Sequence, residues 1–474
     1  MSRARPQRRR RPVDPVRRVA AEILDVWQRE HRHVEDLVDA RERDTSPAGA
    51  ATWTYVDRRR LREIVYGAVR LHGRYDHVIA TLSHGGKAPP PRVRAILWTA
   101  LHELTAMRSP DHAVVHQAVD LAHTLRSGWA AGWINALLRR VASDGVEGLF
   151  TTQTSDPREY AATWGSHPRW IVDRWADLLG TEEMLGLCAA GNERPAVHLR
   201  AAPGRRDALR AALARNEWES ADVAWSPDAL ELVTRVPPGV LLEAVDESCV
   251  VQDAAAQLVA PLLAEVMPPR ARVLDLCAAP GGKAVHLAQR LNHASAPADR
   301  ATVVAADLAP RRLSAVLSTS KRLDLGDRVF AVAADGDAPA FAPGSFDGVL
   351  VDAPCTGSGV FARRHDARWV RDPDDLRELP VLQARLLDAA LDLVRPGGVV
   401  VYATCSLEPE ENDEVVDTVL ARRDDVDELG VGNAVADELK HGDRLQTWPQ
   451  RHGLDGAFAA RLRRRIDVPT EEIT

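Results

Sequence analysis

Five runs of β-branched and small apolar residues punctuate the second half of the chain: ARVLDLCAA, ATVVAADL, RVFAVAAD, FDGVLVDAP and GVVVYATCS. Stretches of helical character separate them. Such a run has no polar face to turn to water, so it implies a parallel strand covered on both sides by crossover helices. The alternation over 251–467 therefore points to a doubly wound α/β domain. A last segment, AFAARLRRR, is expected as an edge strand of the same sheet.

The first half follows a different period. Val16, Val19, Ala20, Ile23, Leu24 and Trp27 share one helical face, and so do Val93, Ile96, Leu97, Ala100, Leu101 and Leu104. Val114, Val115, Ala118, Leu121, Ala122 and Leu125 make a third face, and Ile134, Leu137, Leu138 and Val141 a fourth. Gly85-Gly86, Pro89-Pro90-Pro91 and Ser109-Pro110 break the run. Residues 15–145 thus read as an all-α bundle without strands. Before it, residues 1–14 carry six arginines and no apolar period, the pattern of a disordered basic arm. Between bundle and α/β domain, residues 150–250 read as a small α/β subdomain. There a helical stretch with Trp164, Trp170 and Trp175 as core anchors precedes two β-like runs, AVHLRA and GVLLEAV, around one helix.

Composition narrows the function classes. At 474 residues the chain has room for about three domains. No apolar stretch reaches the roughly 18 residues a membrane span needs, and no apolar core follows the basic arm as it would in a signal peptide. The five cysteines, at 188, 249, 277, 355 and 405, are scattered without a CxxC pair. That argues against a disulfide framework or a structural zinc, and no metal is expected. A cytoplasmic, monomeric enzyme is the expectation. The net charge of −7 disfavours nonspecific coating of nucleic acid but leaves local basic patches open.

Chemistry concentrates where the apolar runs end. The first leads into Cys277-Ala278-Ala279-Pro280-Gly281-Gly282-Lys283 and then a helix. Glycines at a strand-to-helix turn admit a ligand to the backbone, yet the pattern is neither a dinucleotide nor a P-loop fingerprint. The next runs end in Asp307, Asp335 and Asp352. An acid after the second strand suits a ribose diol and one after the third an adenine amine, which outlines a nucleoside-bearing cofactor. Cys355 and Cys405 end strands that should be neighbours. A thiol there suits addition to a ring carbon such as cytosine C6, which makes C5 nucleophilic toward a methyl sulfonium. A second thiol could then assist release. An enzyme methylating an exocyclic amine would need an aromatic to hold the amine, and Asp352-Ala-Pro-Cys355 has none there. Downstream, Arg363, Arg364, His365, Arg368 and Trp369 interleave cations with aromatics, a pattern suited to single-stranded RNA. The other histidines, His167 among them, form no ligand spacing and read as surface or satisfied core residues.

These residues resemble the RsmB/Sun-type RNA cytosine-5 methyltransferases. The likeness rests on Asp275-Leu-Cys277 through Lys283, Asp307, Asp335-Gly336, Asp352-Ala-Pro-Cys355-Thr-Gly-Ser-Gly359 and Thr404-Cys405-Ser406 with Pro409-Glu-Glu-Asn412. In the first half, Asp111-His-Ala-Val-Val-His116 with Trp133-Ile-Asn135 through Arg140 resembles the family's NusB-like RNA-binding domain, and Val251-Gln252-Asp253 the segment before its catalytic domain. The resemblance implies a Rossmann-like methyltransferase domain in which Cys277 to Lys283, Asp307, Asp335 and Asp352 bind S-adenosylmethionine. It also orders the two thiols, which the residues alone do not: Cys405 becomes the nucleophile and Cys355 the group that releases product. The implied substrate is a cytidine of 16S ribosomal RNA. The alternatives are transfer RNA, another ribosomal site, or a noncatalytic NusB-like RNA-binding protein. Leu199-Arg200-Ala201 departs from the family's Arg-Val-Asn, Ala457 stands where a second aromatic is usual, and His116 where an acid or Asn is common.

Overall fold

The computed structural model describes residues 12–30, 32–44, 53–83, 88–107, 109–245, 248–293 and 295–466. Most of the basic arm, residues 1–11, and the Gly85-Gly86 break lie outside the described residues. The chain divides into two compact units. One comprises residues up to Glu193 together with Phe361–Arg371; the other comprises Arg194–Val360 and the chain from Asp372 onward.

The first unit is helical. Its elements are α1 (Pro15–Glu30), α2 (Val34–Arg43), α3 (Tyr55–Leu82), α4 (Pro91–Thr105), α5 (Asp111–Thr124), α6 (Ala131–Asp144), α7 (Pro157–Thr163), α8 (Arg169–Leu179) and α9 (Thr181–Asn192). The apolar stripes that set the helical period fill one core: Ile23, Leu24, Ile64, Ile96, Leu97, Leu101, Leu121, Ile134 and Leu138 are all buried. Asp14 starts α1 by accepting from the N–H groups of Val16 and Arg17, satisfying donors that a helix start leaves open. Thr54 and Asp57 close a reciprocal capping box on α3. Glu103, also in the core, is made tolerable by Arg17 at 2.6 Å and Arg60 at 3.2 Å. The helices α7 to α9 belong to this unit, although the sequence groups them with the small α/β subdomain. Trp175 is a buried anchor, as expected, whereas Trp164 and Trp170 are only partly covered.

The second unit opens with a four-stranded antiparallel sheet. It contains β1 (Val197–Ala201), α10 (Arg206–Arg215), β2 (Ser220–Asp222), β3 (Ala229–Leu232), α11 (Pro238–Ala244) and β4 (Cys249–Val251), in strand order β2-β3-β1-β4. AVHLRA forms the expected strand. GVLLEAV does not: a proline at the helix start fixes φ, and the residues wind as α11 with Leu241 in the core.

The doubly wound domain follows. Its elements are α12 (Ala254–Gln257), α13 (Val259–Ala264), β5 (Arg272–Asp275), α14 (Gly282–Asn292), β6 (Thr302–Asp307), α15 (Pro310–Arg322), β7 (Val329–Ala333) and β8 (Phe346–Asp352). After α16 (Ala367–Val370), which belongs to the helical unit, come α17 (Asp375–Leu393), β9 (Val394–Thr404), α18 (Asp413–Arg422), β10 (Val426–Leu429), β11 (Lys440–His441), β12 (Arg444–Thr447), α19 (Pro449–His452) and β13 (Ala457–Arg464). The sheet order is β7-β6-β5-β8-β9-β13-β12-β11, with β10 also on β13. The strands β5 to β9 pair in parallel and β13 antiparallel to β9.

Two expectations change here. AFAARLRRR is not an edge: β13 lies between β9 and β12, and its alternate residues are buried on opposite sides, Phe458 and Leu462 on one, Ala457 and Ala459 on the other. The parallel edge is β7, read from RVFAVAAD as covered on both faces, and it leaves Phe330 and Val332 exposed.

Candidate functional site

The chain fills one side of the sheet with β5, β6 and β7, then returns to place β8 and β9 on the other side of β5. At such a reversal the two adjacent strand ends open a crevice, the place where open α/β sheets bind ligands. The glycine turn leaves the end of β5 and Asp352 the end of β8, so both border this crevice.

The turn is locked from several sides. The Ala278 N–H donates to the Ala306 carbonyl at 2.8 Å, and the Ala279 N–H donates to one Asp307 carboxylate oxygen at 3.0 Å. The other Asp307 oxygen accepts from the Ala309 N–H at 2.8 Å, and Arg312 donates to the Ala279 carbonyl at 2.7 Å. Asp307 therefore orients the turn, and each of its oxygens keeps a lone pair for a ligand hydroxyl. Gly281 sits at φ 109°, where a Cβ would lie 2.8 Å from Val316 Cγ2. It caps α14 without any side-chain acceptor, leaving first-turn N–H donors open to a ligand.

Around the turn the acids have different settings. Asp275, at the end of β5, is fully buried and neither carboxylate oxygen finds a partner. Burial, then the neighbouring Asp352 carboxylate, pushes its carboxyl up to about 8. Lys283 Nζ donates to Asp352 Oδ2 at 2.7 Å, with 16% and 32% of the two side chains exposed. Burial pulls on the Lys283 ammonium, but Asp352 holds it above its ordinary value. The Cys277 thiol is raised by burial and then by Asp275, so it is inert as a nucleophile. Asp335 follows β7 and is exposed, its carboxylate accepting from the Asp337 N–H at 3.0 Å.

The two cysteines meet. The strands β8 and β9 are in register from Gly348↔Val399 to Asp352↔Ala403, which brings the following loops side by side. Cys355 Sγ and Cys405 Sγ are 3.4 Å apart. Cys355 is buried, whereas Cys405 is partly exposed. The sulfur contact with Cys405, then burial, raises the Cys355 thiol well above its ordinary range, so Cys355 keeps its proton. The Gly359 N–H donates to the Cys405 carbonyl at 3.0 Å and the Gly456 N–H to the Gly359 carbonyl at 2.8 Å. A Cβ on Gly359 would come within 2.7 Å of Gly456 Cα, so this seam requires glycine.

Sequence reasoning gave no role to the groups beneath this pair. Glu411, fully buried, accepts from the Thr356 N–H, the Thr356 and Ser406 hydroxyls, and Gln383. In sequence Glu411 enters only as part of Pro409-Glu-Glu-Asn412, a motif of the resemblance, with no role of its own. The available signal was Gln383, a polar residue three and four positions before Leu386 and Leu387 on the apolar stripe of α17.

The basic-aromatic stretch divides by exposure. Arg368 is fully buried. Its guanidinium donates to Asn192 Oδ1 at 2.9 Å and to the carbonyls of Phe361 at 3.2 Å and Ser166 at 3.4 Å, contacts His167 Nε2 at 2.9 Å, and donates to the Gly191 carbonyl. His365 is buried against Arg70, and Trp369 packs on His72 with ring centroids 3.8 Å apart. These three hold the Phe361–Arg371 segment within the helical unit, and Arg368 and His365 are too enclosed to touch RNA. Arg364 is exposed and Arg363 partly so. His167 is buried with Nδ1 bonded to the Gly165 carbonyl, a satisfied core histidine. Among the described residues no cluster could hold a metal ion and no helix is long and apolar enough to cross a membrane.

Open helix-start donors, an acid after β6 and an unpartnered buried acid after β5 fit a sulfonium-bearing nucleoside rather than a phosphate ligand. Comparisons with known proteins agree. The 16S rRNA methyltransferase RsmB/F family matches residues 264–463, the NusB family residues 14–143, and the ferredoxin-like domain of RsmF/B-type methyltransferases residues 167–238. A protein of Mycobacterium tuberculosis strain H37Rv is 37% identical over 469 residues, 96% of this chain and 98% of its own. The ribosomal RNA small subunit methyltransferase B of Pseudomonas putida is 35% identical over 409 residues, 86% of this chain and 90% of its own. The crystal structure of PH0851 superposes with a TM-score of 0.73 at 22% identity, covering 96% of this chain and all of that one, which speaks for the fold. With its NusB-type helical domain, its small α/β domain and its S-adenosylmethionine-dependent Rossmann-like domain, the chain belongs to the RsmB/F family of rRNA methyltransferases.

Proposed function

We propose that the protein methylates C5 of a cytidine in 16S ribosomal RNA through a transient bond between Cys405 and C6 of the base. The observation that carries this reading is the thiol pair at 3.4 Å, one sulfur buried and one accessible, beside the Lys283–Asp352 ion pair. Bound S-adenosylmethionine supplies an electrophilic methyl group. Cys277 to Lys283, Asp307, Asp335 and Asp352 are the residues assigned to hold it. Asp307 and the α14 start present acceptors and donors for its nucleoside part, and Asp275 leaves two buried oxygens unmet.

In the proposed reaction the Cys405 thiolate forms a bond to C6, and the ring electrons move to C5, which takes the methyl group as its bond to the sulfonium sulfur breaks and S-adenosylhomocysteine leaves. The proton on C5 then passes to a solvent base, its electron pair re-forms the C5–C6 double bond, and the C6–sulfur bond breaks to return Cys405 as thiolate. Cys355, which holds its proton within contact of the leaving sulfur, assists that release by hydrogen bonding to the departing thiolate. Asp352, fixed by Lys283, is within the same crevice to hydrogen-bond the base. Arg363 and Arg364 remain the assigned RNA contacts of the basic-aromatic stretch. Unmethylated small-subunit rRNA incubated with the protein and tritiated methyl donor tests this reading. After digestion to nucleosides, label in 5-methylcytidine supports it, and label in any other nucleoside, or none, overturns it.

A further inference from the structure

Each thiol is followed in the chain by a hydroxyl residue, Thr356 after Cys355 and Ser406 after Cys405, and both hydroxyls donate to the same carboxylate, Glu411. The Thr356 N–H adds a bond of 2.8 Å, and Gln383 Nε2 adds one of 3.0 Å while also donating to the Pro354 carbonyl at 2.9 Å. Every one of these partners is a donor, which an ionised carboxylate satisfies and a protonated one does not. The backbone around Glu411 is fixed as well. Tyr402 donates to the Glu411 carbonyl at 2.6 Å, and Asn412 ties Thr404 to the Ser406 carbonyl. Burial raises the Glu411 carboxyl above its ordinary range and the bonds from Ser406, Thr356 and Gln383 oppose that rise, so one buried carboxylate pins both loops that carry sulfur.

Given the reading of Cys405 as nucleophile, we infer that Glu411 is a positioning residue that holds Cys355 as the neutral, hydrogen-donating member of the thiol pair and leaves Cys405 to attack. The groups facing the two sulfurs divide accordingly. Glu411 takes two hydrogen bonds from Thr356, next to Cys355, and one from Ser406, next to Cys405, and a negative charge there opposes a second one on Cys355. The Lys283 ammonium, paired with Asp352 and near Asp275, interacts with Cys405 and favours negative charge on that sulfur. The two thiols are chemically alike, and their unequal roles come from an acid bonded more heavily to the Cys355 loop and a cation that interacts with Cys405.

The test is Glu411→Gln in the full-length protein without RNA. Iodoacetamide alkylation of each cysteine is followed by peptide mass spectrometry across pH, and methyl transfer is assayed in parallel. In the natural protein Cys405 reacts first at every pH. In E411Q, alkylation of Cys355 rises about tenfold and begins at lower pH, because a buried charge and its hydrogen bonds are gone. Its kcat falls roughly 10- to 100-fold while KM for S-adenosylmethionine is unchanged, and E411D recovers the alkylation order in part. A merely structural role would not alter which thiol reacts first. A folded E411Q with the natural alkylation order and kcat overturns the inference. If E411Q does not fold, Ser406→Ala decides: a tenfold loss of kcat at constant KM supports the inference, and an unchanged kcat overturns it. Methyl transfer to C5 by the natural protein is scored separately, so failure of the proposed reaction and failure of the Glu411 assignment remain distinguishable.

Discussion

Arg368→Met separates a buried anchor from an RNA contact. Methionine nearly matches the length of arginine but carries no donor. The substitution strands the Gly191 and Phe361 carbonyls and Asn192 Oδ1, all of which now accept from the guanidinium. A buried acceptor left unmet costs about 1–3 kcal/mol. Against that stands the relief of a buried cation, whose proton affinity burial has pushed down to about 9. Each tenfold of that displacement corresponds to about 1.4 kcal/mol, so the relief offsets a large part of the loss. A net destabilisation of up to about 4 kcal/mol remains, which lowers the thermal midpoint of a unit of this size by up to about 15 °C. Thermal denaturation gives this quantity. RNA affinity measured against salt gives the other, because a residue that neutralises a phosphate contributes about one unit to the salt slope. The expected result is a lower midpoint with an unchanged slope. An unchanged midpoint with a shallower slope would show that Arg368 meets RNA and that its enclosure does not hold in solution.

Gly281→Ala forces a side chain into left-handed backbone against Val316 and lowers S-adenosylmethionine affinity by roughly 10- to 100-fold in calorimetric titration. Asp307→Ala frees both the Ala279 and Ala309 N–H groups and weakens the same binding at least about tenfold. Asp275 holds its proton up to about pH 8 when folded but releases it near pH 4 when unfolded, so the natural protein loses stability as pH rises through this window. Asp275→Asn escapes that loss: its thermal midpoint matches the natural protein near pH 4 and exceeds it by several degrees at pH 9.

The strand ends were legible because burial on both faces demands continuous apolar runs and because the acids and thiols stand where those runs stop. Neighbouring β8 and β9 then had to bring Cys355 and Cys405 together. The place of β13 was not legible, since its small alanines give the same pattern at an edge as between two strands. GVLLEAV misled because a short apolar run suits either strand or helix, and only the proline at its start favours the helix. The basic-aromatic stretch failed for a related reason: sequence shows that Arg368 is a cation, but only packing shows that both its terminal nitrogens are consumed by buried acceptors. Glu411 stood in a quoted motif, but its role was not legible because its partners, Thr356, Gln383 and Ser406, come from three separate segments.

Covalent capture tests the assigned chemistry most directly. Cys355→Ser and Cys405→Ser proteins are each incubated with unmethylated small-subunit rRNA and S-adenosylmethionine, run on a denaturing gel, and any RNA-bound peptide is mapped by mass spectrometry. The Cys355→Ser protein should remain attached to its RNA with the bond at Cys405, while the Cys405→Ser protein should show no adduct and no methyl transfer. An adduct formed by the Cys405→Ser protein, or one mapped to Cys355, would contradict the roles given to the two sulfurs.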